Sequence, residues 1–348
     1  MPLILEGGGV PGRWPPGESR SFEGRHLRIN GQAECVRIAL INNMPDPALE
    51  DTETQFFDLL ATAAGDLAVH VQLYSLPEIA RGDRARQHMN GFYGDLRAIS
   101  STRVDALIIT GTEPHEADLR KESYWGTLVD LLDWAEHHTV STILSCLAAH
   151  ASVLHSDGIA RHLLSDKRFG VFNEQKVSQH FLISGTADII RIPHSRWNEV
   201  REDDLVSSGY TVLTRSQDAG VGLFAKQRRN SLFVYSQGHP EYQAQTFLKE
   251  YRRDVKRFLR KERTTYPSMP CGYFDGPATK LLVDFRERAL ADPREDVLTF
   301  FPDVAVAATL QNGWHSTGTY VYRNWLQYVV SRKAITPAFA KMAQVARA

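Results

Sequence analysis

Cysteine is the scarcest nucleophile in this 348-residue chain, which contains only Cys35, Cys146 and Cys271. Three scattered cysteines are too few for a disulfide framework or a Cys-rich zinc site. Cys146 follows the strand-like run Thr142–Leu144 and precedes a helical pattern that begins at Leu147. On such a turn the helix dipole and the free N–H groups, including that of Leu147, favour a thiolate and can stabilise an oxyanion. The alternative is a buried core cysteine, and the local sequence does not decide between the two.

A second group of residues favours the nucleophile. The strand-like run Phe233–Ser236 leads into Gln-Gly-His-Pro-Glu, which carries His239 and, two residues later, Glu241. A strand end of this type can bring an imidazole to the thiolate of Cys146, with the carboxylate orienting the imidazole. The pattern predicts a nucleophile, a general base and an orienting acid. No clustered His or Cys residues at ligand spacing suggest a metal site.

The elements that must position these residues follow from hydrophobic periodicity. Alternating or continuous apolar runs predict strands, and apolar residues at i, i+3, i+4 and i+7 predict helices. A capping-box pattern, Thr52 to Gln55, predicts the start of the first helix. Predicted strands cover 36–41, 69–73, 104–109, 141–145 and 232–235; predicted helices cover 52–64, 124–136, 147–154, 242–263 and 278–291. Strands that alternate with helices predict an α/β fold, with a mostly parallel sheet covered by helices on both faces.

Composition excludes several classes of protein. The 40 basic and 41 acidic residues balance, which argues against a general nucleic-acid binder, although the predicted helix 242–263 has a basic face that we interpret as solvated. No apolar run reaches the roughly 18–20 residues that span a membrane. The amino terminus lacks the basic region of a secretory signal, so we expect a cytoplasmic protein with no membrane partner.

The order of several short motifs resembles the homoserine O-acyltransferase (homoserine transsuccinylase) family, which is built on a class I glutamine amidotransferase-like fold. The resemblance runs collinearly over about residues 35–330. The motifs are Ile41-Asn42-Asn43-Met44-Pro45, Thr52-Glu53-Thr54-Gln55-Phe56, Leu107-Ile108-Ile109-Thr110-Gly111, Tyr124-Trp125, Lys167-Arg168-Phe169-Gly170-Val171-Phe172, Pro193-His194-Ser195-Arg196, Gly238-His239-Pro240-Glu241-Tyr242, Glu250-Tyr251-Arg252-Arg253-Asp254, Trp314, Ser316 and Asn324-Trp325-Leu326.

The resemblance implies a role for each matched position. Cys146 corresponds to the acyl-thioester nucleophile, His239 to the general base and Glu241 to its partner carboxylate. The positions that bind the amino-acid substrate correspond to Lys167, Ser195 and Arg253. Cationic side chains of this kind suit the carboxylate of an amino acid. The implied reaction is ping-pong acyl transfer from acyl-CoA to the hydroxyl of homoserine in methionine biosynthesis, with acyl-CoA as a co-substrate and no permanently bound cofactor.

Departures from the family pattern cluster around the pocket. The family's turn reads Cys-Trp-Gly-Ala-Gln-Ala, whereas here it reads Cys-Leu-Ala-Ala-His-Ala from Cys146. The Met-Pro-Lys-Lys loop is replaced by Met44-Pro45-Asp46-Pro47, which lacks the basic pair. At the position where Gly accompanies succinyl and Glu accompanies acetyl, the chain has His115, which weakly favours succinyl. Chemistry is therefore better supported than specificity.

Alternative functions stay open at this point. A divergent member of the family could acylate serine or another hydroxy-amino acid, because one methylene changes binding by only about 1–3 kcal/mol. A glutamine amidotransferase subunit would share the fold and the triad but hydrolyse glutamine. A non-catalytic binding module is the third reading, and the presence of all three triad residues argues against it.

We predict four segments: an irregular N-terminal arm (1–34), an amidotransferase-like acyltransferase domain (35–263), a C-terminal extension that packs on this domain (264–334) and a tail (335–348). The expected partners are small-molecule substrates, and the resemblance also suggests a homodimer.

Overall fold

The computed structural model describes residues 3–5, 28–29, 32–33 and 35–345, with side chains at 3–4 and 35–333. Most of the predicted arm 1–34, and residues 346–348, therefore lie outside the described residues. The strands are β1 (Leu3–Leu5), β2 (Arg28–Ile29), β3 (Gln32–Ala33), β4 (Cys35–Ile41), β5 (Ala68–Tyr74), β6 (Ala106–Ile109), β7 (Ser141–Ser145), β8 (His162–Lys176), β9 (Ile189–Glu199), β10 (Thr211–Val212), β11 (Thr214–Ser216), β12 (Gly220–Val221), β13 (Leu223–Arg228) and β14 (Ser231–Ser236).

The α-helices alternate with the central strands and then follow one another at the carboxyl-terminal end. They are α1 (Asp46–Ala64), α2 (Asp83–Phe92), α3 (Trp125–His138), α4 (Leu147–Asp157), α5 (Glu202–Ser207), α6 (Thr246–Leu259), α7 (Gly276–Ala291), α8 (Asp303–Ala307) and α9 (His315–Val345). Short 3₁₀ helices cover Leu96–Ser101, Leu119–Lys121, Phe181–Ile183 and Glu295–Phe300.

The central sheet has the strand order β1-β5-β4-β6-β7-β14-β13-β10. Pairing from β1 through β14 is parallel, whereas β13 pairs antiparallel with β14 and β10 pairs antiparallel with β13, so β13 alone runs against the other strands of this sheet. The carboxyl ends of β7 and β14 meet at the same edge of the sheet because Ser145 pairs with Ser236. This register places the residues after both strands, Cys146 and His239, next to each other.

Helices cover both faces of this sheet, as the sequence predicts. One face packs against α1 and α9 through a core that includes Phe56, Leu60 and Trp325. The opposite face packs against α3 and α4 through residues such as Leu128 and Ala149. The central strands are buried on both sides, which explains why their sequences read as continuous apolar runs.

A second, antiparallel sheet lies beside the central one, in the order β12-β11-β8-β9. Its β8 residues Phe169 and Val171 join a third core with α6, α7 and Trp314. Segment 264–314 thus packs on α6, while α9 packs on α1. Helix α9 continues through residues 335–345, where we predicted a tail.

The start of the first helix differs from the prediction. Helix α1 begins at Asp46 and not at the predicted capping box, so Thr52 and Gln55 lie within the helix. Pro47 lies in the first turn, where its fixed φ and missing N–H suit the helix start. Glu53, also inside the helix, accepts hydrogen bonds from Tyr93 (2.6 Å) and contacts His88 at 3.0 Å.

Candidate active site

Cys146 lies on a strained turn between β7 and α4. Its φ of 52° and ψ of −111° are unusual for a residue with a Cβ atom. Its N–H donates to the carbonyl of Ser236 at the end of β14 (2.7 Å), which ties the turn to the neighbouring strand. Backbone strain of this kind persists only where the surroundings enforce it, and it concentrates at functional sites. Such a turn exposes a nucleophile at the edge of the sheet.

The structure brings the three predicted catalytic residues together. His239 Nδ1 is 2.8 Å from Oε1 of Glu241, and the Cys146 side chain interacts with the same imidazole. Ser145 Oγ donates to the same carboxylate oxygen at 3.2 Å. The other oxygen of Glu241, Oε2, is buried and accepts no hydrogen bond from a described residue. This arrangement is a Cys–His–Glu triad in which His239 and Glu241 are buried and Cys146 is partly exposed.

The electrostatics of the triad favour a charged imidazole. Burial by itself lowers the pKa of His239, but the nearby Glu241 carboxylate and the contact with Cys146 outweigh it and raise the pKa to about 10. His239 is therefore protonated at neutral pH. An imidazolium in this place can stabilise a thiolate on Cys146 and can later give a proton to a leaving group.

Backbone contacts fix the position of His239. Its N–H donates to the carbonyl of Pro193 in β9 at 2.7 Å. Gly238 fits so tightly against β9 that an added Cβ would lie 2.5 Å from Ile192 Cγ2 and 2.8 Å from the Pro193 carbonyl. The ring of Tyr242 stacks on the imidazole, with centroids 4.3 Å apart.

The predicted substrate-binding residues converge on a carboxylate that sequence reasoning missed, Glu250 in α6. Ser195 Oγ donates to Glu250 Oε2 at 2.6 Å, and Lys167 Nζ lies 3.4 Å from the same oxygen. Tyr242 donates its hydroxyl to Oε1 at 2.8 Å. Since Tyr242 also stacks on His239, a continuous set of contacts joins this group to the triad.

The two predicted cations, Lys167 and Arg253, are paired with carboxylates. Lys167 Nζ lies 3.7 Å from Asp254, and an Arg253 guanidinium nitrogen lies 3.0 Å from Asp254 and 4.0 Å from Glu250. Burial lowers the pKa of Arg253, but Asp254 and Glu250 raise it overall. The site therefore holds both signs of charge, which suits a zwitterionic amino acid. The i, i+3 and i+4 spacing of Glu250, Arg253 and Asp254 on one helix was the available signal.

His115 lies in the loop after β6, and Leu147 at the start of α4 lies next to this loop. His115 is exposed, and its N–H donates to Oε1 of Glu122 at 2.7 Å. Leu147 supplies the first N–H of α4, one of the N–H groups that a helix leaves without an internal acceptor. An added Cβ at Gly111 would lie 3.1 Å from this nitrogen, so the loop passes directly over the nucleophile's turn.

A second buried pair supports β9 behind the triad. His194 Nε2 is 2.7 Å from Oε1 of Glu174, and both side chains are fully buried. Thr214 donates to the other oxygen of Glu174 at 2.5 Å, and Arg196 contacts His194 Nδ1 at 3.3 Å. Burial lowers the pKa of His194. The motif Pro193-His194-Ser195-Arg196 was recognised in the sequence, but its partner Glu174 lies far from it in the chain.

The basic face of α6 carries ion pairs with other elements. Lys249 pairs with Asp51 at 2.7 Å, Arg252 with Asp303 at 2.7 Å, and Arg260 with Glu295 at 2.6 Å. These pairs account for part of the basic pattern as contacts between elements.

Metal binding and membrane insertion can be assessed for the part of the chain that the structure describes. Within that part, no group of three His, Cys, Asp or Glu side chains is arranged to hold a metal ion. None of the helices in the same part combines the length and the apolar character needed to cross a membrane.

Comparison with known proteins identifies the family. The model of the homoserine O-succinyltransferase family matches residues 25–336. The chain belongs to this family. It is 43% identical to the homoserine O-succinyltransferase of Rhodopseudomonas palustris, with 84% of this chain and 88% of the relative covered. The homoserine O-succinyltransferases of Bradyrhizobium japonicum (84% of this chain, 90% of the relative) and Methylorubrum extorquens (86% and 89%) are 41% and 40% identical.

Membership of the homoserine O-succinyltransferase family makes the protein an acyltransferase and confirms the predicted family. Solved structures are also similar at low identity. A glutamine amidotransferase from Thermotoga maritima is 14% identical, covers 85% of this chain and 98% of its own, and gives a TM-score of 0.45. A glutamine amidotransferase from Methylobacillus flagellatus is 12% identical. The match covers 85% of this chain and 95% of that protein, with a TM-score of 0.46. The family assignment rests on the sequence matches.

Proposed function

We propose that this protein transfers an acyl group, with succinyl preferred, from acyl-CoA to the side-chain hydroxyl of homoserine in methionine biosynthesis. The observation that carries the proposal is the Cys146–His239–Glu241 triad with its nucleophile on a strained turn, in a chain whose relatives bear the name homoserine O-succinyltransferase. Small molecules are the partners. The cytoplasmic location and the homodimer stay predictions.

The first half of the reaction forms an acyl-enzyme. His239 holds the proton of the Cys146 thiol, and the thiolate attacks the carbonyl carbon of the acyl-CoA thioester. The resulting oxyanion is stabilised by the N–H of Leu147 at the helix N-terminus. When the C–S bond to CoA breaks, the CoA sulfur takes the proton from His239. One thioester replaces another, so the step is close to thermoneutral.

The second half transfers the acyl group. His239, now neutral, accepts the proton of the homoserine hydroxyl as its oxygen attacks the Cys146 thioester. Collapse of the tetrahedral intermediate releases the ester and the thiolate, and the imidazolium–thiolate pair is restored. Glu241 holds the imidazole through Nδ1 and stabilises its charge in both halves.

Recognition of the amino acid follows from the mixed charges around Glu250. Lys167 and Arg253 suit the substrate carboxylate, and Glu250 suits its ammonium group. Ser195 lies between them as a hydrogen-bonding group. When the amino acid binds, Lys167, Arg253 and Glu250 would exchange ion pairs with one another for ion pairs with the substrate. Binding therefore buries little additional net charge.

A matrix of donors and acceptors tests the proposal. Purified protein is incubated with succinyl-CoA or acetyl-CoA against homoserine or serine, and CoA release is followed. We expect the highest kcat/KM for succinyl-CoA with homoserine. Higher kcat/KM with serine would move the protein to the divergent alternative, and glutamine hydrolysis without any acyl-CoA dependence would support the amidotransferase alternative.

Variants locate the amino-acid site in the same assay. Glu250→Gln is expected to raise KM for homoserine by about tenfold or more because a charge-assisted contact is lost. Lys249→Met is the matched control on the same helix, since the Lys249 amine pairs with Asp51 of α1 and not with the group around Glu250. It should leave KM unchanged.

A further inference from the structure

One cation near the nucleophile has no acidic partner in contact. Arg161 precedes β8 and is half-buried, and no carboxylate of a described residue lies within 4 Å of its guanidinium. Glu122 and Asp118 act on it only at longer range, and so does Cys146. A half-buried cation without a contacting anion is costly unless a ligand supplies one.

Arg161 also holds the loop that carries His115. One guanidinium nitrogen donates to the carbonyls of Glu116 (3.0 Å) and Ala117 (3.1 Å). The same loop is fixed from its other side by Glu122, which accepts the N–H groups of His115 and Glu116 at 2.7 Å each. The guanidinium is therefore fixed beside the position that, by resemblance, selects the acyl group.

Tyr124 adds a second observation. Its side chain is 3% exposed, yet its hydroxyl has no hydrogen-bond partner among the described residues. Arg161 and Glu122 both interact with it electrostatically. A buried hydroxyl without a partner costs free energy comparable to a lost hydrogen bond, which an incoming acceptor would recover.

We propose that Arg161 and Tyr124 bind the distal carboxylate of the succinyl group and so determine the choice of donor. An extended succinyl chain places its distal carboxyl carbon about 4 Å from the reacting carbonyl carbon, at roughly 1.5 Å per C–C bond. Arg161 binds the loop that passes over the turn of Cys146, and it interacts electrostatically with that residue. A guanidinium with an adjacent hydroxyl is a strong carboxylate receptor. The proposal rests on the proposed function and deepens it.

Butyryl-CoA supplies the decisive probe, because it replaces the distal carboxylate of succinyl-CoA by a methyl group at nearly the same length. We compare kcat/KM for succinyl-CoA and butyryl-CoA, at saturating homoserine, in the wild type and in Arg161→Met, Arg161→Lys and Tyr124→Phe. Arg161→Met is expected to lower kcat/KM for succinyl-CoA by about 10- to 100-fold and to change that for butyryl-CoA by less than about threefold. Arg161→Lys should retain part of the preference for succinyl-CoA over butyryl-CoA. Tyr124→Phe should lower kcat/KM several-fold for succinyl-CoA only.

Arg120→Met is the matched control, since Arg120 is exposed, pairs with Asp118 in the same region and carries the same charge. It should leave the ratio of the two donors unchanged. If Arg161→Met lowers kcat/KM equally for both donors, the proposal is overturned, because Arg161 would then only hold the loop or bind the phosphates of CoA. An unchanged ratio in Arg161→Met would overturn it as well. If the wild type transfers neither acyl group to homoserine, the proposed function itself fails.

Folding of each variant is checked by thermal denaturation before the kinetics. If Arg161→Met is unfolded, the comparison of Arg161→Lys with Tyr124→Phe decides the matter. A succinyl-specific loss in Tyr124→Phe supports the proposal, and the absence of any donor-specific loss in both variants overturns it.

Discussion

At the scale of single residues, the site depends on how one carboxylate sets the charge of one imidazole. Burial alone lowers the pKa of His239, and Glu241 at 2.8 Å, together with Cys146, reverses that effect. Because the pKa of His239 is raised to about 10, the proton needed by the leaving CoA is already held at neutral pH. The charge state of His239 therefore follows from its neighbours and not from its residue type.

Replacing Glu241 by glutamine tests this directly. In Glu241→Gln we expect the pKa of His239 to fall from about 10 to 6.5 or below, since burial remains and the main stabilising charge is gone. We expect kcat/KM to fall at least about 100-fold. Titration of the histidine Cε1–H signals by NMR measures the first effect, and steady-state kinetics measures the second.

Ser145→Ala is the matched control for that variant. It removes the other hydrogen bond to Glu241 Oε1, a neutral one at 3.2 Å, and leaves the charge in place. We expect Ser145→Ala to lower kcat/KM by about fivefold or less. An unshifted His239 titration in Glu241→Gln, or an equal kinetic loss in Ser145→Ala, would contradict the account.

At the scale of elements, the site depends on helix α9 as well as on the parallel strands. Gly318 in α9 touches the catalytic turn: an added Cβ would lie 2.8 Å from the carbonyl of Pro240, between His239 and Glu241. The long carboxyl-terminal helix therefore supports the turn that presents the general base.

Gly318→Ala tests this support. In an open helical position alanine is preferred to glycine by about 0.5–1 kcal/mol, but here the methyl group meets a backbone oxygen. We expect a lower melting temperature and about a tenfold loss of kcat/KM, since the turn must shift. Gly126→Ala in α3 meets no atom within 4 Å and should retain both stability and activity. Full activity in Gly318→Ala would show that α9 does not hold the turn.

Much of the element pattern could be predicted from sequence because the central strands are buried on both faces and the helices on one. The runs at 36–41 and 104–109 therefore carry a strong apolar signal. Helix α1 was predicted to start too late, because the Thr52–Gln55 pattern imitates a capping box while Pro47 in the first turn favours an earlier start.

The site was predictable only in part, for a physical reason. Cys146, His239 and Glu241 follow strand ends, and a parallel sheet brings such ends together. The partners of Lys167 and Ser195 come from α6, far along the chain, so periodicity carries no information about them. The partner of His194 is Glu174 on the neighbouring strand β8. The register pairs these residues with Gly170 and Ile190, so only the folded side chains reveal the contact.

At the scale of the whole molecule, the carboxyl-terminal segment belongs to the main core. The indole of Trp325 in α9 is fully buried among residues of the central sheet and α1, and its N–H donates to Ser141 Oγ in β7 at 2.9 Å. Lys333, further along the same helix, reaches Asp105 at 2.5 Å. Helix α9, which supports the turn of His239, is thus anchored next to β7, the strand that leads to Cys146.

Trp325→Ala measures the contribution of this anchor. Loss of a fully buried indole is expected to lower the free energy of unfolding by about 3–5 kcal/mol. Chemical denaturation at equilibrium is the measurement. Tyr320→Ala on the same helix, where the ring is 40% exposed, should cost about 1 kcal/mol or less. A Trp325→Ala protein as stable as the control would mean that α9 is not part of the core.

The raised pKa of His239 also makes the stability of the whole molecule depend on pH. A histidine whose folded pKa lies above its unfolded value contributes stability that is fully present below about 6.5 and is lost as pH rises through about 10. The difference in unfolding free energy between wild type and Glu241→Gln should therefore be largest at about pH 6.5 and below, and shrink as pH rises toward 10. If the difference in unfolding free energy grew with pH, His239 would not carry a charge in the folded protein.

The most direct test of the central claim is the intact mass of the protein after incubation with succinyl-CoA in the absence of homoserine. We expect a mass increase of one succinyl group on the peptide that contains Cys146, its discharge when homoserine is added, and no adduct in Cys146→Ala. Turnover of Cys146→Ala near the wild-type rate, or wild-type transfer that never passes through an adduct, would contradict it.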